Sequence, residues 1–261
     1  MKDFYKYFGI VAIMLFSFYY TEKIALMMRK KDPIYETINV FAEDSNTKSI
    51  NATIKNNTII PGINGLTVNI DKSFQKMKSF GAFNKYYLIF EQIKPEISLE
   101  DNKDKIITKG NSKKKSVALI LEGTGEISEY LKKIEANASI LITTESFQRD
   151  SFLEQINNDS KKEKEVDSLL DSIKQNKKIC IINNYNENQC RKNNKYLVKP
   201  SLELTNYNIA SIKGKIESGD IILIKKGVTL NDVKILLQQI YYKGLEPTNL
   251  SSLILEENKS F

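Results

Sequence analysis

The sequence predicts an α/β protein in which a parallel sheet or open barrel, small or incomplete, follows an apolar N-terminal helix and an irregular region. The first observation is an uncharged run over residues 8–20. The second is a turn-rich stretch that extends to about residue 112. The third is the alternation of strand-like and helix-like patterns from Lys113 onward, which is typical of parallel sheets and barrels. We therefore divide the chain into an anchor (1–31), a linker and accessory region (32–112) and an α/β domain (113–261).

The N-terminal segment has the character of a membrane span. Residues 8–20 read FGIVAIMLFSFYY, and the apolar run IALMM follows Glu22 and Lys23. A membrane span needs about 20 residues. Residues 8–28 are long enough to cross a bilayer if Glu22 and Lys23 lie near the membrane–water interface and extend their charged ends into water. No small-residue cleavage site follows it. We expect a single-pass, uncleaved signal anchor; the alternative is a buried helix of the folded domain.

Basic residues lie on both sides of this segment. Lys2 and Lys6 precede it, and a larger group follows it: Lys23, Arg29, Lys30 and Lys31. The tendency of basic flanks to stay in the cytoplasm would keep the body of the protein there. We nevertheless expect the body outside the cytoplasm, because of the resemblance that its sequence shows below.

The accessory region contains turn signals and short apolar runs. Alternation around Ile54 and Ile60 predicts short strands, and the dipeptides Pro61-Gly62 and Asn64-Gly65 predict turns. Asp71 is a candidate cap for a helix that ends at Gly81. No phosphate-binding loop or repeat is present in this region.

The α/β domain is predicted from apolar runs and helical spacing. The predicted strands cover residues 116–121, 138–143, 178–182, 196–198 and 220–224. The predicted helices cover residues 127–135, 147–156, 161–175, 208–216 and 228–243. A barrel of eight full strand–helix units needs about 250 residues, so a barrel in this domain is small or incomplete.

The composition argues against histidine-dependent hydrolases and against nucleic-acid binding proteins. The chain has 261 residues, 41% of them hydrophobic, and contains no histidine. The commonest general base near neutral pH and the commonest ligand of zinc are therefore missing. The net charge of +7 comes mostly from interspersed lysines, and Arg29, Arg149 and Arg191 are scattered. We expect no nucleic-acid partner, whereas attraction to anionic polymers or lipid headgroups is compatible with this charge.

The two cysteines, Cys180 and Cys190, are too few to form a zinc site without histidine. They can close a short disulfide if the domain lies outside the cytoplasm. The alternative is a pair of unbonded thiols in the core.

Three runs in matching order resemble motifs of the polysaccharide deacetylases (the NodB-homology family, carbohydrate esterase family 4). They are KKSVALILEGTGE, NASILITTE and the long C-terminal run that begins IESGDIILIKKG. The family's counterparts of the first and last read roughly KVALTFDDGP and PGSIILLHD. The likeness spans Lys113 to about Glu256. It implies a deformed β/α barrel that removes acetyl groups from chitin-like or peptidoglycan sugars.

The resemblance also implies a set of site residues. Family members hold a divalent metal with an aspartate and two histidines, use a neighbouring aspartate as base, and protonate the leaving group with a histidine on the last strand. In this chain Glu122 stands at the base position, Gly123 at the metal aspartate and Lys225 at the last-strand histidine. Lys226 replaces the following aspartate. Without these ligands the chain resembles a degenerate member, and we expect no metal or other cofactor.

The candidate site residues follow from these positions. Glu122 and Lys225 are the candidate catalytic residues, and Glu126 and Lys226 are the candidate binding residues. A plainer interpretation makes Lys225 and Lys226 surface lysines at a strand end, paired with Glu122 or Glu126.

Three functional hypotheses remain open from the sequence. The first is a membrane-anchored, catalytically inactive deacetylase-like protein of the cell envelope, which binds cell-wall glycan or an envelope protein. The second is an active hydrolase, a polysaccharide or peptidoglycan N-deacetylase with an altered site that uses Glu122, Glu126 or Asp220. The third is a structural membrane protein whose body docks a partner.

Overall fold

The structure is a computed structural model that describes residues 2–123, 125–175, 178–183 and 186–258. It divides into two compact units, which we describe separately. The anchor unit comprises the described residues of Met1–Lys48 and Gly65–Ile93, and the barrel unit comprises those of Ser49–Asn64 and Lys94–Lys259. Segment 32–112, taken as one region from the sequence, contributes to both units.

The helices of the described chain are α1 (Lys2–Lys30), α2 (Pro33–Ser45), α3 (Ile70–Lys78), α4 (Glu126–Lys133), α5 (Glu163–Ser172), α6 (Glu187–Lys192), α7 (Ile209–Ile212), α8 (Leu230–Tyr242) and α9 (Leu250–Ile254). The strands are β1 (Thr53–Lys55), β2 (Thr58–Ile60), β3 (Gly65–Val68), β4 (Phe90–Ile93), β5 (Ile106–Ile107), β6 (Ser116–Glu122), β7 (Ser139–Ile142), β8 (Glu154–Asn157), β9 (Ile179–Ile181), β10 (Tyr196–Val198), β11 (Leu202–Leu204), β12 (Ile221–Ile224) and β13 (Glu246–Thr248). Single 3₁₀ turns cover Lys85–Tyr87, Glu100–Asn102 and Ser112–Lys114.

Helix α1 of the anchor unit is apolar over most of its length. Its segment Ile10–Lys30 has 21 residues and a mean hydropathy of 1.5, and none of the most apolar window is buried. By length and composition this helix is long enough to cross a bilayer. The predicted N-terminal apolar helix is therefore present.

The rest of the anchor unit packs around α2 and α3. Ile38 of α2 and Phe74 and Met77 of α3 lie in one hydrophobic cluster, and strands β3 and β4 pair antiparallel. Helix α2 is absent from the predictions above, although Asp32 caps it and Pro33 occupies its first turn. The cap of α3 is Asn69, whose side chain accepts a hydrogen bond from the Lys72 amide, and not the predicted Asp71.

The barrel unit is built on two mainly parallel sheets. One sheet has the order β11-β12-β6-β7-β8, with β13 paired to the start of β6, and the other has the order β1-β2-β5-β10-β9. Within these sheets the β1–β2 pairing is antiparallel and the other pairings are parallel. This arrangement matches the predicted parallel α/β class with an incomplete barrel.

Strand β6 is the central element of the barrel unit, because both of its faces are buried. Val117, Leu119 and Leu121 pack in the cluster that includes the apolar sides of α4, α5 and α8. Ala118 and Ile120 pack in a second cluster with residues of β5, β9 and β10. Strand β12 alternates in the same way. A near-continuous apolar run is the expected pattern for strands buried on both faces.

The strand predictions agree with the structure at β6, β7, β9, β10 and β12 to within two residues. The helix predicted over 147–156 is wrong, since the end of that segment forms β8 and pairs with β7. Leu153 and Ile156 fit helical spacing, but Ile156 is buried within β8 and Leu153 is buried directly before that strand. Glu154 is held there because its carboxylate accepts hydrogen bonds from the Ser139 hydroxyl and the Ser251 amide.

Cys180 of β9 and Cys190 of α6 are joined by a disulfide, with a Cα–Cα distance of 6.2 Å. The bond connects a sheet strand to the short helix that follows it. Of the two alternatives left open by the sequence, the structure contains the disulfide.

The close approach of Gly219 to Gly110 generates a stability prediction. Gly219 has φ of +90°, and an added Cβ would lie 2.3 Å from the Gly110 carbonyl oxygen. We expect Gly219→Ala to destabilise the protein by roughly 2–4 kcal/mol, from overpacking and backbone strain. The measurement is the unfolding midpoint of the full chain in detergent. Gly214→Ala is the matched control, since nothing lies within 4 Å of its added Cβ, and an equal loss in both variants would contradict the prediction.

Candidate functional site

A cleft lies at the carboxyl ends of β6 and β12, which are neighbours in the sheet. Its volume is about 390 Å³, and it is lined by residues 121–123, 125–127 and 224–230. Ligand sites of open α/β sheets are found at this edge of the strands. The position of the cleft therefore follows from the sheet topology.

The register of the two strands brings Glu122 and Lys225 together. Leu121 pairs with Ile224, so Glu122, the last residue of β6, lies beside Lys225, the first residue after β12. The Lys225 ammonium donates to the Glu122 carboxylate at 2.5 Å. The amide of Lys226 lies 3.4 Å from the other oxygen of that carboxylate. The two candidate catalytic residues thus form an ion pair at the floor of the cleft.

Glycines shape the walls of the cleft. Gly123 and Gly227 have φ of +101° and +93°, a region that side chains rarely adopt. Gly123 follows β6, and Gly227 lies between β12 and α8. Gly125 is the N-cap of α4. Thr229 is the N-cap of α8, and its side chain accepts a hydrogen bond from the Asp232 amide. Both helices therefore begin at the cleft.

The candidate binding residues Glu126 and Lys226 are exposed at the lip of the cleft. Thr124, the residue after Gly123 in the sequence, falls outside the described residues. Sequence reasoning missed Gly227 and Thr229, although a lysine pair followed by glycine after a buried strand is a turn signal that marks this wall.

The residues at the cleft do not fit the metal that the resemblance implies. Gly123 has no ligating side chain, and the chain contains no histidine. Within the described ranges no group of three or more Cys, Asp and Glu residues could hold an ion. Glu122 is the carboxylate at this position, and its charge is already matched by Lys225.

Asp220, an alternative catalytic residue in the hydrolase hypothesis, is far from the cleft. It precedes β12, whereas Lys225 follows it, so the strand of about 13 Å separates them. Its buried carboxylate accepts hydrogen bonds from the Ser201 hydroxyl at 2.9 Å and the Glu217 amide at 2.7 Å, and it pairs with Lys109. Asp220 thus links three segments of the chain at the amino-terminal end of β12.

A second charged cluster, which the sequence did not predict, surrounds the buried Lys195. Its ammonium lies 2.7 Å from Glu163 and 2.8 Å from Asp167, and the side chain is 6% exposed. Burial opposes ionisation of Glu163, but hydrogen bonds from Lys195 and Gln189 outweigh it and hold the pKa of that carboxyl below its ordinary value. The signal in the sequence is a lysine directly before a fully apolar strand.

Solved structures with the same architecture identify the fold. A pseudoenzyme of carbohydrate esterase family 4 from Bacillus anthracis is similar over 88% of this chain and 97% of its own, with a TM-score of 0.56 and 18% identity. A mutant of that pseudoenzyme, described as having restored enzymatic activity, is similar over 87% and 99%, with a TM-score of 0.57 and 18% identity. This chain has the family 4 carbohydrate esterase fold. The deacetylase-type barrel predicted from the three motifs is therefore confirmed as the fold.

Sequence comparison adds one curated relative and no family model. The uncharacterised protein YlxY of Bacillus subtilis is 41% identical over 105 residues, which cover 40% of this chain. The match covers 33% of that protein. The chain therefore spans about a third of the relative's length.

The exposure of the Glu122–Lys225 pair leads to a prediction about its strength. Its side chains are 28% and 37% exposed, and such pairs contribute below about 1 kcal/mol. We expect a double-mutant cycle of Glu122→Gln and Lys225→Met to give a coupling energy in that range. The buried Lys195 is the control, since Lys195→Met leaves two carboxylates without their partner and should cost about 3–5 kcal/mol. Equal losses at Lys225 and Lys195, measured by denaturation of the full chain, would contradict this.

Proposed function

We propose that this protein is a membrane-anchored, non-catalytic member of the deacetylase fold that binds glycan strands of the cell envelope in the cleft between β6 and β12. The observation that carries the proposal is the ion pair of Glu122 and Lys225, next to Gly123. These three residues stand where the family implies a base, an acid and a metal ligand. Here Glu122 and Lys225 neutralise each other, and Gly123 offers no ligating side chain.

The chemistry of acetyl removal explains why this replacement points away from catalysis. A metal ion polarises the amide carbonyl and acidifies a bound water, and it supplies several kcal/mol of charge stabilisation in the transition state. The side chains at the cleft offer no equivalent. Glu122 is paired with Lys225 at 2.5 Å, and neither side chain can polarise a carbonyl as a metal ion does. The description of a structurally similar protein as a pseudoenzyme supports the same conclusion.

The dimensions and lining of the cleft support glycan binding. Small-molecule sites have volumes of about 300–1,000 Å³, and the cleft holds about 390 Å³. The apolar part of the cleft lining comes from Ile127, Ile224 and Val228. At the lip of the cleft, Glu126 offers a hydrogen-bond acceptor and Lys226 a donor. Sugar rings present apolar faces and hydroxyl edges that match such a surface. The proposed ligand is therefore a strand of N-acetylated sugars.

The cellular location is part of the proposal. Helix α1 anchors the chain, and the body lies outside the cytoplasm, where glycan strands are found. A disulfide between Cys180 and Cys190 suits an oxidising compartment. This orientation runs against the basic residues that follow the apolar segment, so it needs its own test.

The functional test combines three measurements on the purified full chain in detergent. We expect retention on N-acetylglucosamine oligomers or peptidoglycan strands, no stoichiometric divalent metal by elemental analysis, and no release of acetate. Acetate release that is lost in Glu122→Gln would instead establish the active hydrolase. Absence of glycan retention, with co-purification of an envelope protein, would favour the protein-docking hypothesis.

Variants at the lip locate the binding in this test. Lys226→Ala and Glu126→Ala should each weaken glycan retention several-fold, because each removes a hydrogen-bonding group from the cleft. Lys132→Ala, at an exposed position near the end of α4, is the matched control. Glu126→Ala and Lys226→Ala change the net charge in opposite directions, so a loss of retention in both is not an effect of net charge. An equal loss in Lys132→Ala would contradict binding in this cleft.

Orientation is testable with a phosphatase that is active only outside the cytoplasm, fused after residue 261. We expect the full-length fusion to be active in intact cells, because α1 would export the body. The same fusion lacking residues 1–31 is the control and should be inactive. An inactive full-length fusion, present at normal abundance, would place the body in the cytoplasm.

A further inference from the structure

The segment from residue 76 to residue 90 of the anchor unit combines lysines with aromatic residues. Its sequence, KMKSFGAFNKYYLIF, contains three lysines and five aromatic residues and no aspartate or glutamate. We call part of it the lysine–aromatic surface, which consists of the exposed Lys76, Lys78, Phe80, Lys85 and Tyr86 and the half-buried Tyr87.

These side chains are organised and largely open to solvent. Phe80 and Tyr86 are 62% and 80% exposed. Phe80 stacks on Tyr87 with ring centroids 4.8 Å apart. The Lys76 ammonium lies 5.2 Å from the Tyr87 ring, and that of Lys85 lies 5.2 Å from the Tyr86 ring. Aromatic faces and cations are thus presented together.

The core of the anchor unit does not need the exposed aromatic residues of this surface. Phe74 and Met77, on the other side of α3, fill the cluster that α3 shares with α2. Phe80 and Tyr86 lie outside that cluster. Large apolar side chains that stay exposed in a group commonly mark an interaction site.

The position of the surface relates it to the anchor. Arg29, at the end of α1, pairs with Asp71 in the first turn of α3 at 3.0 Å. Helix α3 has nine residues and so extends about 13 Å from that point. The lysine–aromatic surface therefore begins within about 15 Å of the end of α1.

We infer that the lysine–aromatic surface lies on the anionic lipid surface beside the anchor helix; this rests on the proposed membrane anchoring of α1. Aromatic rings of amphipathic character collect at the level of lipid headgroups. Lysines near the bilayer are attracted to anionic headgroups. Helix α3 then lies along the membrane, and the anchor unit is held at two points.

Lipid is favoured over a glycan as the occupant by two observations. The surface belongs to the same compact unit as α1, so a bilayer that holds α1 is within its reach. Its three lysines are balanced by no acidic residue within the segment, which complements anionic lipid and has no counterpart in a neutral glycan. Glycan binding at this surface is an outcome of the test.

The absence of tryptophan from the chain allows a sharp experiment. Three single reporters are introduced into the full chain, reconstituted in liposomes of phosphatidylcholine with or without phosphatidylglycerol. They are Phe16→Trp in α1, Tyr86→Trp in the surface, and Tyr207→Trp at a position of the barrel unit that is 90% exposed. Emission wavelength and quenching by brominated lipids are measured for each.

We expect the Phe16→Trp reporter to be quenched in both liposomes and the Tyr207→Trp reporter in neither. The Tyr86→Trp reporter should shift to shorter wavelength and lose intensity in the anionic liposomes. An unquenched Tyr86→Trp reporter beside a quenched Phe16→Trp reporter overturns this inference and leaves the anchor intact. If the Phe16→Trp reporter is also unquenched, the proposed membrane anchoring by α1 is overturned together with this inference. A response of the Tyr86→Trp reporter to soluble glycan strands in place of lipid likewise overturns it.

A set of lysine variants tests whether the lysines of this surface are attracted to anionic lipid. Lys76→Gln, Lys78→Gln and Lys85→Gln combined should reduce the quenching of the Tyr86→Trp reporter in anionic liposomes to its level in phosphatidylcholine. The matched control removes three exposed lysines of the barrel unit, Lys132, Lys133 and Lys192, in the same way. Equal loss with both sets would assign the effect to net charge and overturn the role of this surface.

Discussion

The pairing of β6 with β12 determines where the candidate site of this chain lies. Both strands are buried on both faces, so a shift of register by one residue would exchange the side chains of two hydrophobic clusters. The packing of Leu119 and Ile222 therefore fixes the alignment at the strand ends. Glu122 and Lys225 meet because of that alignment, and the turns at Gly123 and Gly227 start the helices that wall the cleft.

The charged residues at the two ends of β12 differ in their burial and in their access to solvent. At its start, the carboxylate of Asp220 is buried and accepts hydrogen bonds from Ser201 and the Glu217 amide. At its end, Lys225 is partly exposed and meets one carboxylate beside an open cleft. The first arrangement fixes the chain path and leaves no room for a ligand. The second remains accessible to one.

Much of the barrel could be predicted from the sequence because its strands are short apolar runs with clear limits. The runs at 116–122 and 221–224 are of this kind, and the spacing of Val233, Leu236 and Ile240 indicated α8. The segment at Leu153 and Ile156 could not be assigned from spacing alone, since both residues fit either a helix or a strand. Its strand identity depends on pairing with β7 and on contacts of Glu154 with Ser139 and Ser251, which are distant in sequence.

The candidate site was predictable only in part, for a related reason. The three motifs located Glu122 and Lys225, but the distance between their side chains depends on strand register, which a single sequence does not supply. The cluster around Lys195 was not predicted, because a lysine before an apolar strand does not identify its partner, and Asp167 lies 28 residues away. Long-range ion pairs of this kind leave little local pattern, whereas buried strands leave a strong one.

The left-handed backbone at Gly123 has a further consequence for how this cleft could change over evolutionary time. An aspartate at that position would meet conformational strain before it gained any ion to hold, because the chain lacks the histidines that would complete a metal site. Replacing Lys225 alone would leave the Glu122 charge without its counterion. An aspartate at residue 123 would therefore cost stability before a metal site existed, whereas loss of the partly exposed Glu122–Lys225 pair would cost little.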